Sequence, residues 1–180
     1  MFFEKVSLAQ WQKDLASIYF NKDFADIPQE DQDLINKWYT QIKLPKQATE
    51  GSMGHDFFNP YDELSCQPGE VFTVPTGIRW CCGKLYGDDI NAGLLLLPRS
   101  GLGFKYGFQL LNTVGVIDRD YSDSDNEGHI MARVTSLMPL KIEQGKAFLQ
   151  GIIIPYIIAR GAESTNKRNG GFGSTDEKNN

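Results

Sequence analysis

At 180 residues and 20.2 kDa, the chain has room for one domain and a small extension. Apolar residues make up 41% and charged residues 23%, which argues against wholesale disorder and for a packed core. The net charge of −5 speaks against a sequence-independent grip on nucleic acid, which needs basic surface to displace counterions. The longest apolar runs, 93–97 and 152–158, fall far below the roughly 18 residues of a membrane helix. The opening Met-Phe-Phe-Glu-Lys lacks the basic-then-apolar order of a signal peptide. Cysteines number three (Cys66, Cys81, Cys82), an odd count with two adjacent, so no disulfide framework is suggested. The expectation is a reduced, cytoplasmic protein with neither nucleic acid nor membrane as partner.

Residues 1–45 read as helical. Leu8, Trp11, Leu15 and Ile18 recur at helical spacing behind Ser7, a good N-cap. A second helix is expected near Pro28, with Leu34, Ile35 and Trp38 on one face. The two form a hairpin whose apolar stripes dock either on the main domain or on a partner. From Lys46 onward, short apolar stretches at 71–74, 78–81, 93–97, 129–135 and 147–158 alternate with clusters of Gly, Pro, Asn and Asp. This spacing predicts an all-β sandwich or barrel over 46–161. The tail, 162–180, is polar and glycine-containing, with Phe172 its one large apolar residue, and is expected to be mobile.

Three segments carry groups suited to chemistry. At Leu97-Pro98-Arg99-Ser100-Gly101-Leu102-Gly103 a cation, a hydroxyl and two glycines follow an apolar strand. A guanidinium fork fits phosphate oxygens, and glycines let backbone N–H groups approach an anion; an ordinary turn with a surface arginine looks the same. The stretch from Asn112 to Tyr121 suggests a β-hairpin with polar groups near its turn. Its Asp118 follows Val116 and Ile117, where a carboxylate could hold and deprotonate a water. Asn112 could read a base edge, although Asn and Asp are also common turn residues. In the tail, Lys167, Arg168, three glycines, Phe172, Ser174 and Thr175 make a phosphate-and-base clamp, with Phe172 offering a face for stacking.

In order, these segments resemble the motifs of the trimeric deoxyuridine triphosphatases (dUTPases). Gly54-His55-Asp56-Phe57 is similar to the first motif and Pro98-Arg99-Ser100-Gly101-Leu102 matches the second. The third is matched from Asn112 to Tyr121, including the six-residue step from Asn112 to Asp118. Residues Gly145 to Gln150 resemble the fourth, although the family has an Arg before its Gln and this chain reads Gly145-Lys146-Ala147-Phe148-Leu149-Gln150. Gly170-Gly171-Phe172-Gly173-Ser174-Thr175 matches the fifth, and the likeness runs from about Leu44 to Thr175.

The resemblance implies a jelly-roll-like β-barrel with a helical N-terminal extension and a flexible C-terminal arm. It also implies a homotrimer with shared active sites and hydrolysis of dUTP to dUMP and pyrophosphate with Mg²⁺. Asp118 would be the general base, and Asp56 would hold Mg²⁺ through water. Arg99, Ser100, Gly101 and Gln150 would contact the phosphates. Asn112, Gly115 and the backbone of Val116 and Ile117 would meet uracil, and Tyr121 would exclude a 2′-hydroxyl. Phe172 would stack on uracil beside Gly173 and Ser174. The family's tail cation falls on Lys167, with Arg168 one residue nearer the Phe and better shaped for phosphate.

Two segments exceed the family's minimal core. They are residues 1–45 and the acidic stretch Ser122-Asp123-Ser124-Asp125-Asn126-Glu127-Gly128-His129, both candidate surfaces for a protein partner. The acidic stretch superficially resembles a calcium loop but lacks the length and flanking helices of an EF-hand. The rival functions are a deoxycytidine triphosphate deaminase and a regulatory binding module on the same scaffold. The cysteines are expected to be bystanders.

Overall fold

A computed structural model describes residues 2–82 and 91–161. The chain opens with β1 (Phe2–Lys5), α1 (Leu8–Phe20) and α2 (Gln29–Gln41). Next come β2 (Lys46–Gln47), β3 (Gly54–Phe58), β4 (Glu63–Cys66), β5 (Phe72–Pro75), β6 (Ile78–Cys81) and β7 (Ala92–Pro98). A short helix α3 (Ser100–Tyr106) precedes β8 (Gln109–Leu110), β9 (Gly115–Ile117), β10 (Met131–Thr135), β11 (Leu140–Glu143) and β12 (Ala147–Pro155). Strand structure therefore dominates after residue 45, as the turn spacing predicts. Among the described residues, no helix is long and apolar enough to cross a membrane.

The largest sheet runs β2-β3-β12-β7-β9; the others are β5-β10-β8, β11-β4 and β1-β6. Alternation along β7 buries Ala92, Leu94 and Leu96 and turns Leu95 and Leu97 outward. The inward set meets Phe57, Phe148 and Leu149 in a core that continues through Val74, Ile130 and Val134.

The two expected helices are present. Ser7 caps α1 by accepting from the Gln10 N–H, and Asn21 ends it in the left-handed conformation at φ 53°. Trp11, Leu15 and Ala16 are fully buried, whereas Leu8 is exposed on the other side. Trp11 donates its indole N–H to the Ile35 carbonyl at 2.9 Å and stacks on Tyr61 with ring centroids 5.9 Å apart. The hairpin thus docks on the chain's own β structure. Trp11→Ala should cost about 3–5 kcal/mol, the usual range for emptying a buried large aromatic site. Denaturant unfolding measures this; a cost under about 1 kcal/mol would mean that the helices are merely appended.

Three local expectations need correction. Residues 2–5 form a strand, paired antiparallel with β6 from Phe2↔Cys81 to Lys5↔Ile78. Residues 100–106 form a helix, despite two glycines that disfavour one, and Gly107 closes it at φ 62°. The third-motif strands are not each other's hairpin partners, because β8 pairs with β10 while β9 pairs with β7.

Candidate active site

The first, second and fourth motifs converge on one sheet face. Gln150 on β12 lies opposite Asp56 of β3 on one side and Leu97 of β7 on the other. Directly opposed residues project to the same side of a sheet, so the Asp56 carboxylate and the Gln150 amide are neighbours. Arg99, just past β7, places its Nε 3.2 Å from Asp56 Oδ1. Gln150 donates from Nε2 to the Pro98 carbonyl at 3.1 Å, which fixes its head beside Arg99. The Asp56 side chain is 15% exposed and that of Arg99 43%. The carboxylate is therefore held while the guanidinium can still turn to an anion. Ser100 and Gly101 follow at the start of α3, and a shallow depression there is lined by Pro98, Arg99, Ser100, Gly103 and Phe104.

The third motif builds a separate cavity of about 320 Å³. Asn112, Gly115, Val116, Ile117 and Tyr121 line it together with Leu96 and Arg133. Thr113 turns the chain at φ 66°, and Thr113 N–H bonds the Leu110 carbonyl at 3.0 Å. Gly115 sits so close to β7 that a Cβ there would lie 3.0 Å from Leu96 Cβ. β9 is the last strand of its sheet, with no further strand beyond it among the described residues. Its outer backbone groups are thus placed to pair with a planar ligand edge. Asp118 follows at the strand end and is exposed, whereas Tyr121 is 6% exposed. The Tyr121 N–H closes the turn on the Asp118 carbonyl at 3.1 Å.

Two strands, β12 and β7, separate Asp56 on β3 from Asp118 after β9. At about 4.8 Å per strand step, β3 and β9 stand roughly 14 Å apart. One chain therefore keeps the Asp56–Arg99–Gln150 cluster and the cavity lined from Asn112 to Tyr121 apart.

The tail residues Lys167, Arg168, Phe172, Gly173 and Ser174 lie outside the described residues. Sequence reasoning misses Arg133, a cation on the cavity wall. Its signal is the break it makes in the apolar run of β10, where Ala132 and Val134 alternate inward around it. Cys66 and Cys81 are buried, and burial pushes the Cys81 thiol up despite the nearby Arg79, which keeps it protonated and poorly nucleophilic. Among the described residues, no three His, Cys, Asp or Glu side chains form a cluster able to enclose a metal ion. A lone carboxylate such as Asp56 suits a hydrated cation held mainly by its ligand's phosphates.

Comparison with known proteins places the chain in a family. The dUTPase family model matches residues 40–176. The deoxyuridine 5'-triphosphate nucleotidohydrolase of Lactococcus lactis subsp. lactis (strain IL1403) is 39% identical over 141 residues, covering 74% of this chain and 88% of that protein. The crystal structure of dUTPase from Streptococcus mutans superposes with a TM-score of 0.58 at 26% identity, covering 89% of this chain and all of that one (100%). A variant of the Staphylococcus bacteriophage 80alpha dUTPase solved with dUpNHpp shares the fold at a TM-score of 0.52 and 18% identity, covering 76% of this chain and 93% of its own. The chain belongs to the dUTPase family.

Proposed function

We propose that this chain hydrolyses dUTP to dUMP and pyrophosphate at sites shared between the subunits of a homotrimer, keeping uracil out of DNA. The observation that carries the reading is the division of the first four motifs. Asp56, Arg99 and Gln150 gather on one face, while two strands stand between Asp56 and Asp118. A water poised on the α-phosphorus and a cation on the same triphosphate need both carboxylates within a few ångströms. A neighbouring copy supplies what one chain keeps apart. In this reading residues 46–161 form the jelly-roll-like β core, 1–45 a helical N-terminal extension, and 162–180 the arm that covers bound nucleotide.

Asp118 takes a proton from a water whose oxygen attacks the α-phosphorus, and the bond to the bridging oxygen breaks to release pyrophosphate. Arg99, Ser100, Gly101 and Gln150 hold the phosphate chain, joined by Lys167 or Arg168 of the arm. Asp56 would hold Mg²⁺ at the phosphates. When bound, Mg²⁺ withdraws charge from the phosphates and eases departure of pyrophosphate. Asn112 and the free edge of β9 at Val116 and Ile117 pair with uracil, with Gly115 admitting the close approach to β7. Phe172 stacks on the base, flanked by Gly173 and Ser174. Positioning and charge neutralisation do most of the work in phosphoryl chemistry, so no covalent nucleophile is required.

Tyr121 packs on the deoxyribose and leaves no room for a 2′-hydroxyl. Tyr121→Ala should lower the dUTP/UTP ratio of kcat/KM at least tenfold, and an unchanged ratio would count against the sugar contact. The overall reading is tested by assaying pyrophosphate and ammonia release from dUTP, dCTP, UTP and dTTP, with Mg²⁺ and with chelator. Mg²⁺-dependent pyrophosphate from dUTP alone is expected; ammonia from dCTP would move the function to deamination.

A further inference from the structure

The two segments that exceed the five motifs meet each other. Glu127, in the loop after Tyr121, accepts from the Ser7 backbone N–H at 2.8 Å and from the Ser7 hydroxyl at 2.7 Å. That hydroxyl also accepts from the Gln10 N–H, so one side chain both caps α1 and grips the loop. Burial alone would raise the Glu127 carboxyl, but the Ser7 hydrogen bonds outweigh it and hold the group below the ordinary carboxylate value. Two residues on, His129 is wholly buried. Its Nε2 accepts the Gly77 N–H at 2.9 Å, so the ring proton sits on Nδ1 and is donated to Asp14 Oδ2 at 2.6 Å.

The same loop is tied to Tyr121. The Tyr121 hydroxyl donates to the His129 carbonyl at 3.2 Å and accepts from Asn126 Nδ2 at 3.0 Å. Asn126 Oδ1 in turn accepts from the Gly128 N–H at 3.1 Å. Glu127 adopts φ 57°, a left-handed conformation that disfavours side-chain-bearing residues, and Gly128 follows at φ 71°. A Cβ on Gly128 would lie 2.6 Å from Ser122 Cα and 2.7 Å from the Tyr121 carbonyl oxygen. The loop thus closes directly on the backbone of the tyrosine. α1 holds the far side of that closure.

We propose that α1 is a specificity clamp: Ser7 and Asp14 hold Glu127 and His129, and through them fix the Tyr121 ring at the nucleotide cavity. The inference rests on the reading of Tyr121 as the sugar contact. Rejecting one extra hydroxyl by shape needs the blocking ring held to about half an ångström, which a side chain on a long unsupported loop cannot provide. Ser7, Asp14, Glu127 and His129 are positioning residues; none is assigned a contact with substrate.

The test compares kcat/KM for dUTP and UTP in Asp14→Ala, Glu127→Ala, their double variant, Asp14→Asn and Tyr121→Phe, with Tyr121→Ala as reference. The double variant should lose roughly tenfold in the dUTP/UTP ratio. Asp14→Asn, which still offers the imidazole an acceptor, should stay near the parent value. Tyr121→Phe cuts the link to the loop without touching α1, so it carries the test if the helix variants do not fold; it should lose part of the ratio. If Tyr121→Ala collapses the ratio while the double variant and Tyr121→Phe keep it, the clamp is wrong and the sugar contact stands. A melting temperature that falls in the helix variants with the ratio unchanged overturns the clamp in the same way. An unchanged ratio in Tyr121→Ala overturns the sugar contact and the clamp together.

Discussion

Asp118→Asn is expected to bind dUTP with nearly unchanged affinity while kcat falls by about 10²–10⁴-fold, the usual contribution of a positioned general base. The amide matches the carboxylate in size but cannot accept the proton of the attacking water. Asp118 is exposed and follows the last residue of a three-residue edge strand. A binding measurement with a non-hydrolysable dUTP analogue, beside single-turnover pyrophosphate release, separates the two effects. Near-normal kcat would remove Asp118 from the base role and direct attention to Asp120, the next carboxylate along the chain. Loss of binding together with turnover would instead mean that the residue orders the cavity.

Ending the chain after Thr165 should leave a folded protein with kcat/KM for dUTP reduced at least a hundredfold. Among the described residues the buried core runs to Leu149, with Ile153 packed against it, and the last strand ends at Pro155, so all of this framework lies before the cut. What would be lost is the stacking face of Phe172, worth about 1–3 kcal/mol per base, and the charge of Lys167 and Arg168 against the phosphates. Pyrophosphate assays on the shortened chain, with a thermal melt as the control for folding, decide the matter. Full activity would show that the fifth motif takes no part. Returning the Phe and the two cations one at a time then divides stacking from charge.

Local signals are legible in the sequence, and long-range pairings are not. Ser7 before Leu8, Trp11 and Leu15 announces α1, because capping and helical periodicity act within one or two turns. The ordered motifs mark Asp56, Arg99, Gln150 and Asp118 as a set, but nothing local says that three of them share a sheet face while the fourth does not. That division follows from β12 lying between β3 and β7, and from β9 joining the far side of β7. α3 has the sequence of a turn, because Gly101 and Gly103 each disfavour helix by about 1 kcal/mol. β1 is only four residues long and is made by a partner strand more than seventy positions away. The cavity cation Arg133 has the pattern of an ordinary outward strand residue. The pairing of Asp14 with His129 has no sequence signal at all, since neither residue belongs to a motif.

The grip of Ser7 and Asp14 on Glu127 and His129 also bears on how the chain is made. The contacts span 120 and 115 positions, so the first helix leaves the ribosome long before its partners exist. At about 5–20 residues per second, that interval is on the order of ten seconds. Ile35 and Tyr61 become available to the indole of Trp11 early in that interval, but His129 only at its end. Contacts between such distant positions are entropically the last to close. The start of the chain is therefore among the last parts to reach its final place, and an interrupted synthesis that stops before residue 127 leaves Ser7 and Asp14 with nothing to grip.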